Sequence, residues 1–316
     1  MTGHFYPPLS SKGLKIGEFI KVWHEGNIVR VETVRVASRD DKELINFLDS
    51  LGIRISENSP ILVGRYYIEV FGIRYDAKSF DDLRRILKKL SRIYIVMPAY
   101  NEEKTIGEVL DSLLRVFKPE NIIVVDDGSR DRTREIAKSR GVHVVSHLIN
   151  RGLGGALGTG IQYALLKGAE IIVTFDADGQ HLVEDALKVL KPVVEGKAGL
   201  AIGSRFRGNI SEMPLVKRIG NILLNMITAI FALKYVSDSQ SGLRAFSREC
   251  ASKVKITCDG YAVSSEIIVE ASRKKCKIVE IPIRAVYTEY SKKKGTNVVE
   301  GVRIAINLML DLLFRR

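Results

Sequence analysis

The most constraining feature of this sequence is a repeated alternation of short apolar runs and helix-like segments that begins at Ile93. The apolar runs are β-rich, and amphipathic segments separate them over roughly 103–117, 131–140, 154–167 and 181–195. In order along the chain, the runs are IYIVM, NIIVV, VHVVS, EIIVTF and AGLAIG. Such an alternation predicts right-handed crossover connections and a mainly parallel, doubly wound α/β sheet.

Acidic clusters follow three of these runs, at the points where the predicted strands end. They are Pro98-Ala99-Tyr100-Asn101-Glu102, Asp126-Asp127-Gly128-Ser129 and Asp176-Ala177-Asp178-Gly179-Gln180. Because parallel strands present their carboxyl ends at one edge of the sheet, we expect the clusters to converge there. Converging carboxylates repel one another, and their oxygen atoms suit Mg²⁺ or Mn²⁺, either of which would hold a diphosphate. The sequence therefore predicts a site for a nucleotide diphosphate.

The region before Ile93 has a different pattern, which predicts a small α+β module over residues 1–91. The segment FIKVWHEGNIVRVETVRV alternates apolar and polar residues around a turn at Gly26, as expected of a hairpin. A helix is predicted from Asp40 to Leu51, a strand in RYYIEVFGI, and a second helix after Ser79. No catalytic spacing occurs here, so the role of the module stays open.

Composition narrows the classes of partner. The chain has a formal net charge of +12, which is compatible with nucleic acid, anionic lipid headgroups or phosphorylated ligands. No nucleic-acid-binding signature accompanies the charge, so we expect no nucleic-acid partner. The three cysteines show neither metal spacing nor a disulfide framework, which predicts small buried residues and a reducing compartment.

Two segments are candidates for contact with a membrane surface. No signal peptide is expected, and no uncharged apolar run reaches the ~18 residues that a spanning helix requires. However, an apolar stretch over 222–233 follows Lys217 and Arg218, and the segment 297–316 predicts an amphipathic helix. Both segments are suited to lie in the headgroup plane, although a core helix or an oligomer interface would show the same pattern.

Taken together, the motifs of residues 92–294 resemble family 2 of the inverting nucleotide-sugar glycosyltransferases, and more narrowly the dolichyl- or polyprenyl-phosphate hexose synthases. The motifs are Pro-x-Tyr-Asn-Glu, Asp-Asp-Gly-Ser, Asn-Arg-Gly-x-Gly, Asp-x-Asp-x-Gln-His, Gly-Ser-Arg and Asp-Ser-Gln-Ser-Gly-Leu-Arg. The resemblance implies a glycosyltransferase A-type sheet with a catalytic domain over 92–296. Inversion would proceed by a single displacement, in which a cation and basic groups stabilise the departing nucleoside diphosphate.

The resemblance also implies roles for individual residues. Metal binding falls chiefly to Asp178 and Gln180, with Asp176 beside the ribose or a metal-bound water. The other implied contacts with the donor nucleotide are made by Pro98, Tyr100, Glu102, Val125, Asp127 and Ala177. Asp126 is instead expected to have a structural role and not to contact the nucleotide. His181 is a candidate to cap the following helix.

Three further groups complete the predicted site. Arg205 and Arg244 are candidates to hold phosphate oxygens, because a planar guanidinium binds them in a bidentate manner. Lys292, in a run of three lysines, resembles the basic residue of a loop over the donor phosphates, with Lys293 and Lys294 as alternatives. Asp238 is the one motif carboxylate placed to act as a general base.

The resemblance leaves three functions open. The first is transfer of a hexose from UDP or GDP to dolichyl or polyprenyl phosphate by a peripheral enzyme at the cytoplasmic face of the cell membrane. The second is transfer to a saccharide hydroxyl, which needs a general base, whereas a lipid phosphate is already an anion. The third is a non-catalytic nucleotide-sugar-binding protein, against which the retention of every acidic motif argues.

Overall fold

The computed structural model describes residues 20–25, 28–32, 61–64, 67–70, 73–76, 85–86, 88–209, 213–284 and 286. The chain divides into two compact units at Arg92, and residues 115–118 group with the first of them. Each unit contains its own sheet. The predicted second helix of the N-terminal module lies largely outside the described residues, and the helices predicted over 40–51 and 297–316 lie wholly outside them.

The sheet of the first unit is antiparallel, with strand order β2-β1-β3-β4-β5. Its strands are β1 (Ile20–Glu25), β2 (Ile28–Glu32), β3 (Ile61–Gly64), β4 (Tyr67–Val70) and β5 (Ile73–Asp76). The predicted hairpin is confirmed, because β1 and β2 pair with Glu25 opposite Ile28. The segment predicted as one strand around Tyr67 instead forms β4 and the beginning of β5, which pair with each other.

The second unit is built on a mixed sheet with strand order β12-β10-β11-β9-β6-β7-β8 in the described part of the chain. Its strands are β6 (Ile93–Ala99), β7 (Ile122–Asp126), β8 (His143–Ser146), β9 (Ile171–Thr174), β10 (Leu200–Asn209), β11 (Arg244–Ser247) and β12 (Ile278–Arg284). Four pairs are parallel, namely β6 with β7, β6 with β9, β7 with β8, and β10 with β12. The predicted mainly parallel α/β sheet is confirmed.

Helices connect these strands, and the first four of them lie close to the ranges that the sequence predicts. They are α1 (Ile106–Leu114), α2 (Thr133–Ser139), α3 (Gly152–Leu166), α4 (Val183–Val194), α5 (Leu215–Ala232), α6 (Arg248–Lys253) and α7 (Val263–Arg273). Helix α1 illustrates the cause, since its buried residues Ile106, Val109, Leu110 and Leu113 follow the spacing of one helical face. Strands β7 and β9 are buried along their whole length, as expected where helices cover both faces of a parallel sheet.

Strand β11 is the exception to the parallel arrangement, because it runs antiparallel to both of its neighbours. Its first residue, Arg244, lies opposite Thr174 at the end of β9. An antiparallel strand begins at the edge where its neighbours end. This reversal therefore brings a basic residue to the edge that carries the acidic clusters.

The expectation of buried cysteines is confirmed for Cys250 and Cys258, but the expectation that no disulfide forms was wrong. Cys250 of α6 and Cys276, just before β12, form a disulfide, whereas Cys258 is buried and lies outside this disulfide. The two partners lie 26 positions apart in the sequence, a separation that matches no recognisable framework. Cysteine spacing therefore gave no indication of the pair, and the inference of a reducing compartment loses its support.

Close backbone packing fixes the first turn of α3 against the segment that precedes α7. The Gly154 amide donates to the carbonyl oxygen of Asp259 at 2.7 Å. A Cβ atom at Gly154 would overlap the carbonyl oxygen of Cys258. Since that oxygen belongs to backbone, a side chain at position 154 can be accommodated only if one of the two segments moves.

We predict that Gly154→Ala lowers the free energy of unfolding by about 1–3 kcal/mol, as overpacking usually does. The matched control is Gly158→Ala in the same helix, where the nearest atom to an added Cβ lies at 3.7 Å. That substitution should raise stability by up to ~1 kcal/mol, because alanine favours helix more than glycine does. Urea unfolding of both variants measures the difference, and equal stability of the two would contradict the packing argument.

Candidate active site

The carboxyl ends of β9, β6 and β7 lie side by side, because these strands are consecutive in the sheet. Each of the three acidic clusters begins at or just beyond one of these ends. The first two clusters are joined directly. The backbone amide of Asn101 donates to Ser129 Oγ at 3.0 Å, and the backbone amide of Glu102 donates to Thr133 Oγ1 at 2.7 Å.

The two neighbouring carboxylates of the second cluster have separate partners. Asp126 is fully buried and accepts hydrogen bonds from Arg134 Nε at 2.8 Å and from the Ser129 amide at 3.1 Å. These contacts hold the turn after β7 closed. They match the structural role that the sequence allowed for Asp126.

Asp127 orders the loop that leads into α3. Its carboxylate accepts from the Arg151 amide at 2.9 Å and from the Gly152 amide at 2.8 Å, and it lies 2.6 Å from His147 Nδ1. His147 was not among the predicted site residues, because a lone histidine beyond a strand carries no motif. The predicted contact of Asp127 with a nucleobase stays a prediction.

The remaining residues predicted to contact the nucleotide differ in exposure. Tyr100 is 40% exposed, Pro98 is half-buried and Glu102 is buried. Val125 is fully buried in the core, where it packs close to Gly160 of α3. Its contact with a base stays a prediction, and the burial of the side chain argues against it.

The third cluster places two carboxylates close enough to affect each other's ionisation. Burial, followed by the negative charge of Asp176, raises the pKa of Asp178 to about 6. Glu102 raises it further, which indicates that the first and third clusters converge. The Gln180 amide donates to Asp178 Oδ1 at 3.0 Å and closes a tight turn at Gly179, whose φ is +77°.

Asp176 is ionised more readily than its partner. Its confined position opposes the charge, but the hydrogen bond from His181 and the positive charges of His181, Arg244 and Arg205 outweigh that effect and lower the pKa of Asp176. His181 Nε2 lies 3.0 Å from Asp176 Oδ2. A Cβ atom at Gly242 would overlap the Asp176 carboxylate, so a side chain at position 242 would displace that carboxylate.

His181 therefore does not cap α4, which begins at Val183 with no side-chain cap. Its ring packs edge-on against Phe175, at a centroid distance of 5.7 Å. Nδ1 of His181 is buried and has no hydrogen-bond partner among the described residues. The histidine is thus a partner of the acidic pair rather than part of the helix end.

Arg205 and Asp238 form a buried ion pair. Arg205 donates from Nε to Asp238 Oδ2 at 2.8 Å and from a terminal nitrogen to Oδ1 at 2.7 Å, and its backbone amide donates to Oδ2 at 2.9 Å. Asp238 is fully buried, and the Arg205 side chain is 13% exposed. Both carboxylate oxygens of the predicted base are therefore occupied by a cation.

Arg244 is fully buried, which the sequence did not anticipate for a phosphate-binding arginine. It donates to the carbonyl oxygens of Ser239 at 2.9 Å and Ser264 at 3.2 Å, while its Nε has no partner among the described residues. Burial lowers the pKa of Arg244 to about 10, and the charges of Asp176 and Asp238 oppose that change. Its contact with phosphate stays a prediction.

The acidic pair suits a divalent cation that arrives with a diphosphate. Among the described residues, no three acidic, histidine or cysteine side chains form a ready metal cage. Two carboxylates with phosphate oxygens and water are a usual ligand set for Mg²⁺. Asp176, Asp178 and Gln180 thus fit such a cation. Ala177, between the two carboxylates, is buried, and its contact with a diphosphate stays a prediction. Lys292 lies outside the described residues.

Comparison with known proteins agrees with this geometry. A protein of Methanocaldococcus jannaschii, described as uncharacterized, is 53% identical over 70% of this chain and 93% of its own length. The UDP-N-acetylglucosamine–dolichyl-phosphate N-acetylglucosaminyltransferase of Methanococcus voltae is 40% identical over 69% of this chain and 95% of its own length.

Among solved structures, glucosyl-3-phosphoglycerate synthase from Mycobacterium tuberculosis, in complex with Mg²⁺ and UDP, has a TM-score of 0.55 at 22% identity. The match covers 73% of this chain and 82% of that structure, and it supports the glycosyltransferase A-type fold. The sequence profile described as Glycosyl transferase family 2 matches residues 94–254. With the acidic strand ends and their basic partners in place, the chain belongs to glycosyl transferase family 2.

Proposed function

We propose that the protein is an inverting hexosyltransferase that moves a sugar from UDP or GDP to dolichyl or polyprenyl phosphate, with Mg²⁺ or Mn²⁺. The observation that carries this proposal is the single electrostatic cluster of Asp176, Asp178, Arg205, Arg244 and Asp238. The acidic groups of this cluster suit a cation that would hold the donor diphosphate, and its basic groups suit anionic oxygens. The name of the Methanococcus voltae relative supports a lipid phosphate acceptor and a UDP-linked donor.

The bound cation would stabilise the negative charge that develops on the departing nucleoside diphosphate. The protein's own contribution is to hold that charge between fixed groups. Arg205 is oriented by Asp238, and Arg244 is oriented by two carbonyl oxygens, so neither guanidinium needs to reorganise when charge develops. Asp176 and Asp178 are supported by His181 and by the turn at Gly179.

The state of Asp238 favours a phosphate acceptor over a saccharide hydroxyl. A hydroxyl acceptor requires a base that is free to take its proton. Asp238 has both oxygens engaged by Arg205, so it would have to exchange a strong ion pair for that task. A phosphate acceptor attacks as an anion, and the Arg205–Asp238 pair then serves to orient the guanidinium.

The surface of α5 supports a membrane location. Six apolar residues on one side of this helix are exposed, namely Leu215, Ile219, Ile222, Leu223, Met226 and Ile230. Lys217 and Arg218 lie in its first turn. An apolar face with flanking cations suits an anionic bilayer surface, and the acceptor's prenyl chain resides in a bilayer. We propose peripheral binding at the cytoplasmic face of the cell membrane.

No helix in the described part of the chain is both long and apolar enough to cross a bilayer.

The proposed reaction is tested by incubating the protein with Mg²⁺ or Mn²⁺, labelled UDP- or GDP-sugars, and a polyprenyl phosphate. Label should enter the organic phase with wild-type protein and not after chelation. Asp178→Ala should abolish this transfer, because no neighbour replaces the lost carboxylate, and Gln180→Ala should reduce it less. Asp111→Ala, which changes an exposed acid on α1, is the matched control and should remain active.

Two results would contradict the proposal. If label entered an added saccharide in the aqueous phase and not the polyprenyl phosphate, the hydroxyl acceptor would be correct. If Asp178→Ala retained normal transfer and metal dependence, the cation site would be elsewhere.

We predict that Arg205→Ala lowers kcat/KM by an amount equivalent to about 2–4 kcal/mol of transition-state stabilisation, the usual effect of removing one charged donor. Arg205→Lys should recover only part of the loss, because an ammonium lacks the planar fork that engages Asp238 and a phosphate together. Steady-state kinetics with the donor and a polyprenyl phosphate measure both values. Unchanged kcat/KM in the alanine variant would remove Arg205 from the reaction.

We predict that the protein sediments with anionic liposomes, and that Leu223→Glu together with Met226→Glu weakens this partition at least about tenfold, since two apolar side chains would no longer insert. Salt should weaken binding without abolishing it, because screening affects only the basic flank. Leu166→Glu, at an exposed apolar position on α3, is the control and should bind normally. Equal binding by the double variant would exclude α5 as the contact.

A further inference from the structure

Helix α5 contains two polar residues, Asn225 and Thr228, that face inward although most of the helix is apolar. Both are nearly inaccessible, at 2% and 1% exposure. Thr228 Oγ1 donates to the Leu224 carbonyl oxygen within the helix and lies 2.7 Å from Ser265 Oγ of α7. Its hydroxyl therefore joins two helices, which is a structural role. Asn225 makes contacts of another kind.

The Asn225 amide holds both residues that flank Asp238. Its Nδ2 donates to the carbonyl oxygen of Ser237 at 2.6 Å. Its Oδ1 accepts from the Ser239 amide at 2.8 Å and from Ser239 Oγ at 2.7 Å. One buried side chain thus fixes the backbone on either side of the acid that orients Arg205.

Residues 237–239 contact Arg244 as well as Arg205. Asp238 binds the Arg205 guanidinium, and the Ser239 carbonyl oxygen accepts from Arg244 at 2.9 Å. On its other side, Ser237 donates from its amide to Glu280 Oε1 at 2.7 Å. Residues 237–239 therefore stand between helix α5 and both guanidinium groups.

We infer that Asn225 is a positioning residue for transfer, which links the exposed helix α5 to the two arginines through residues 237–239. The inference rests on the proposed function, because it assigns the arginines to anionic oxygens of the substrates. Asn225 touches no substrate itself. It acts by keeping Asp238 and the Ser239 carbonyl where they orient Arg205 and Arg244.

Burial explains why this position demands an amide. A buried asparagine requires partners for both of its polar ends, and residues 237 and 239 supply a carbonyl acceptor and two donors. Leucine has nearly the same volume, but it would leave the Ser237 carbonyl and the Ser239 amide without these partners. Unpaired buried groups are costly, so the segment should move toward other partners. Small displacements of catalytic groups have large effects on rate.

The test compares Asn225→Leu with Thr228→Val, which also removes buried hydrogen bonds from the inner side of α5. With a short-chain, water-soluble polyprenyl phosphate as acceptor, Asn225→Leu should lower kcat about 10- to 100-fold. Thr228→Val should keep kcat within about twofold of wild type. The soluble acceptor makes kcat independent of membrane binding. Membrane binding itself should not be weakened by leucine in an apolar helix.

Hydrogen–deuterium exchange provides a readout that does not depend on activity. In Asn225→Leu, the peptide containing residues 236–243 should exchange faster, because the Ser239 amide loses its acceptor. Peptides from β6 and α1 should be unchanged. Thr228→Val removes the bond to Ser265, which also accepts from Gln240, but it should leave the Ser239 amide protected, because Asn225 Oδ1 still accepts from that amide. If Asn225→Leu fails to fold, Asn225→Ala removes the same amide without adding apolar bulk and should give the same pattern.

The outcomes separate this inference from the proposed function. If wild-type protein transfers no sugar to polyprenyl phosphate, the proposed function fails, while the exchange result still decides whether Asn225 holds residues 237–239. If wild-type protein is active and Asn225→Leu retains both its kcat and its protection at 236–243, the inference is wrong. A loss of kcat of equal size in Thr228→Val would also overturn it, because general loosening of α5 would then be the cause.

Discussion

The balance of charge around Asp176 is the interaction on which the rest of the site depends. Two carboxylates at the end of one strand cannot both remain ionised in a protein-lined site without compensation, and the pKa of Asp178 is accordingly raised to about 6. His181, Arg205 and Arg244 supply that compensation for Asp176. The negative charge of Asp238 in turn offsets the positive charges of the two arginines. A partly neutralised acidic pair is a site that a cation with its diphosphate can complete.

Sheet topology is what makes this balance possible. Parallel strands bring the acidic clusters to one edge, and the antiparallel strand β11 begins at that edge with Arg244. Arg205 lies on β10, the other neighbour of β11. Arg244 is therefore placed by backbone pairing with β9, whereas Arg205 lies in the irregular part of β10, where its backbone amide donates to Asp238.

Sequence reasoning predicted the parts of this arrangement that depend on local pattern. The first five strands and the first four helices after Ile93, and the convergence of acidic strand ends, followed from apolar periodicity and from the geometry of parallel sheets. The Arg205–Asp238 pair, the burial of Arg244 and the partnership of His147 with Asp127 did not. Each of these depends on contacts between distant segments. The Cys250–Cys276 pair escaped prediction for the same reason.

The orientation of α5 has a consequence for how its sequence can vary. A helix with apolar residues on both its inner and outer sides has little hydrophobic preference for one rotation about its axis over another. Asn225 and Thr228 remove that ambiguity, since only one rotation satisfies their buried polar groups. The outer residues can then be replaced by other apolar types, whereas Asn225 and Thr228 determine the rotation of the helix about its axis. In this helix, polar side chains specify the rotation, and apolar ones on the outer face are left available to the surroundings.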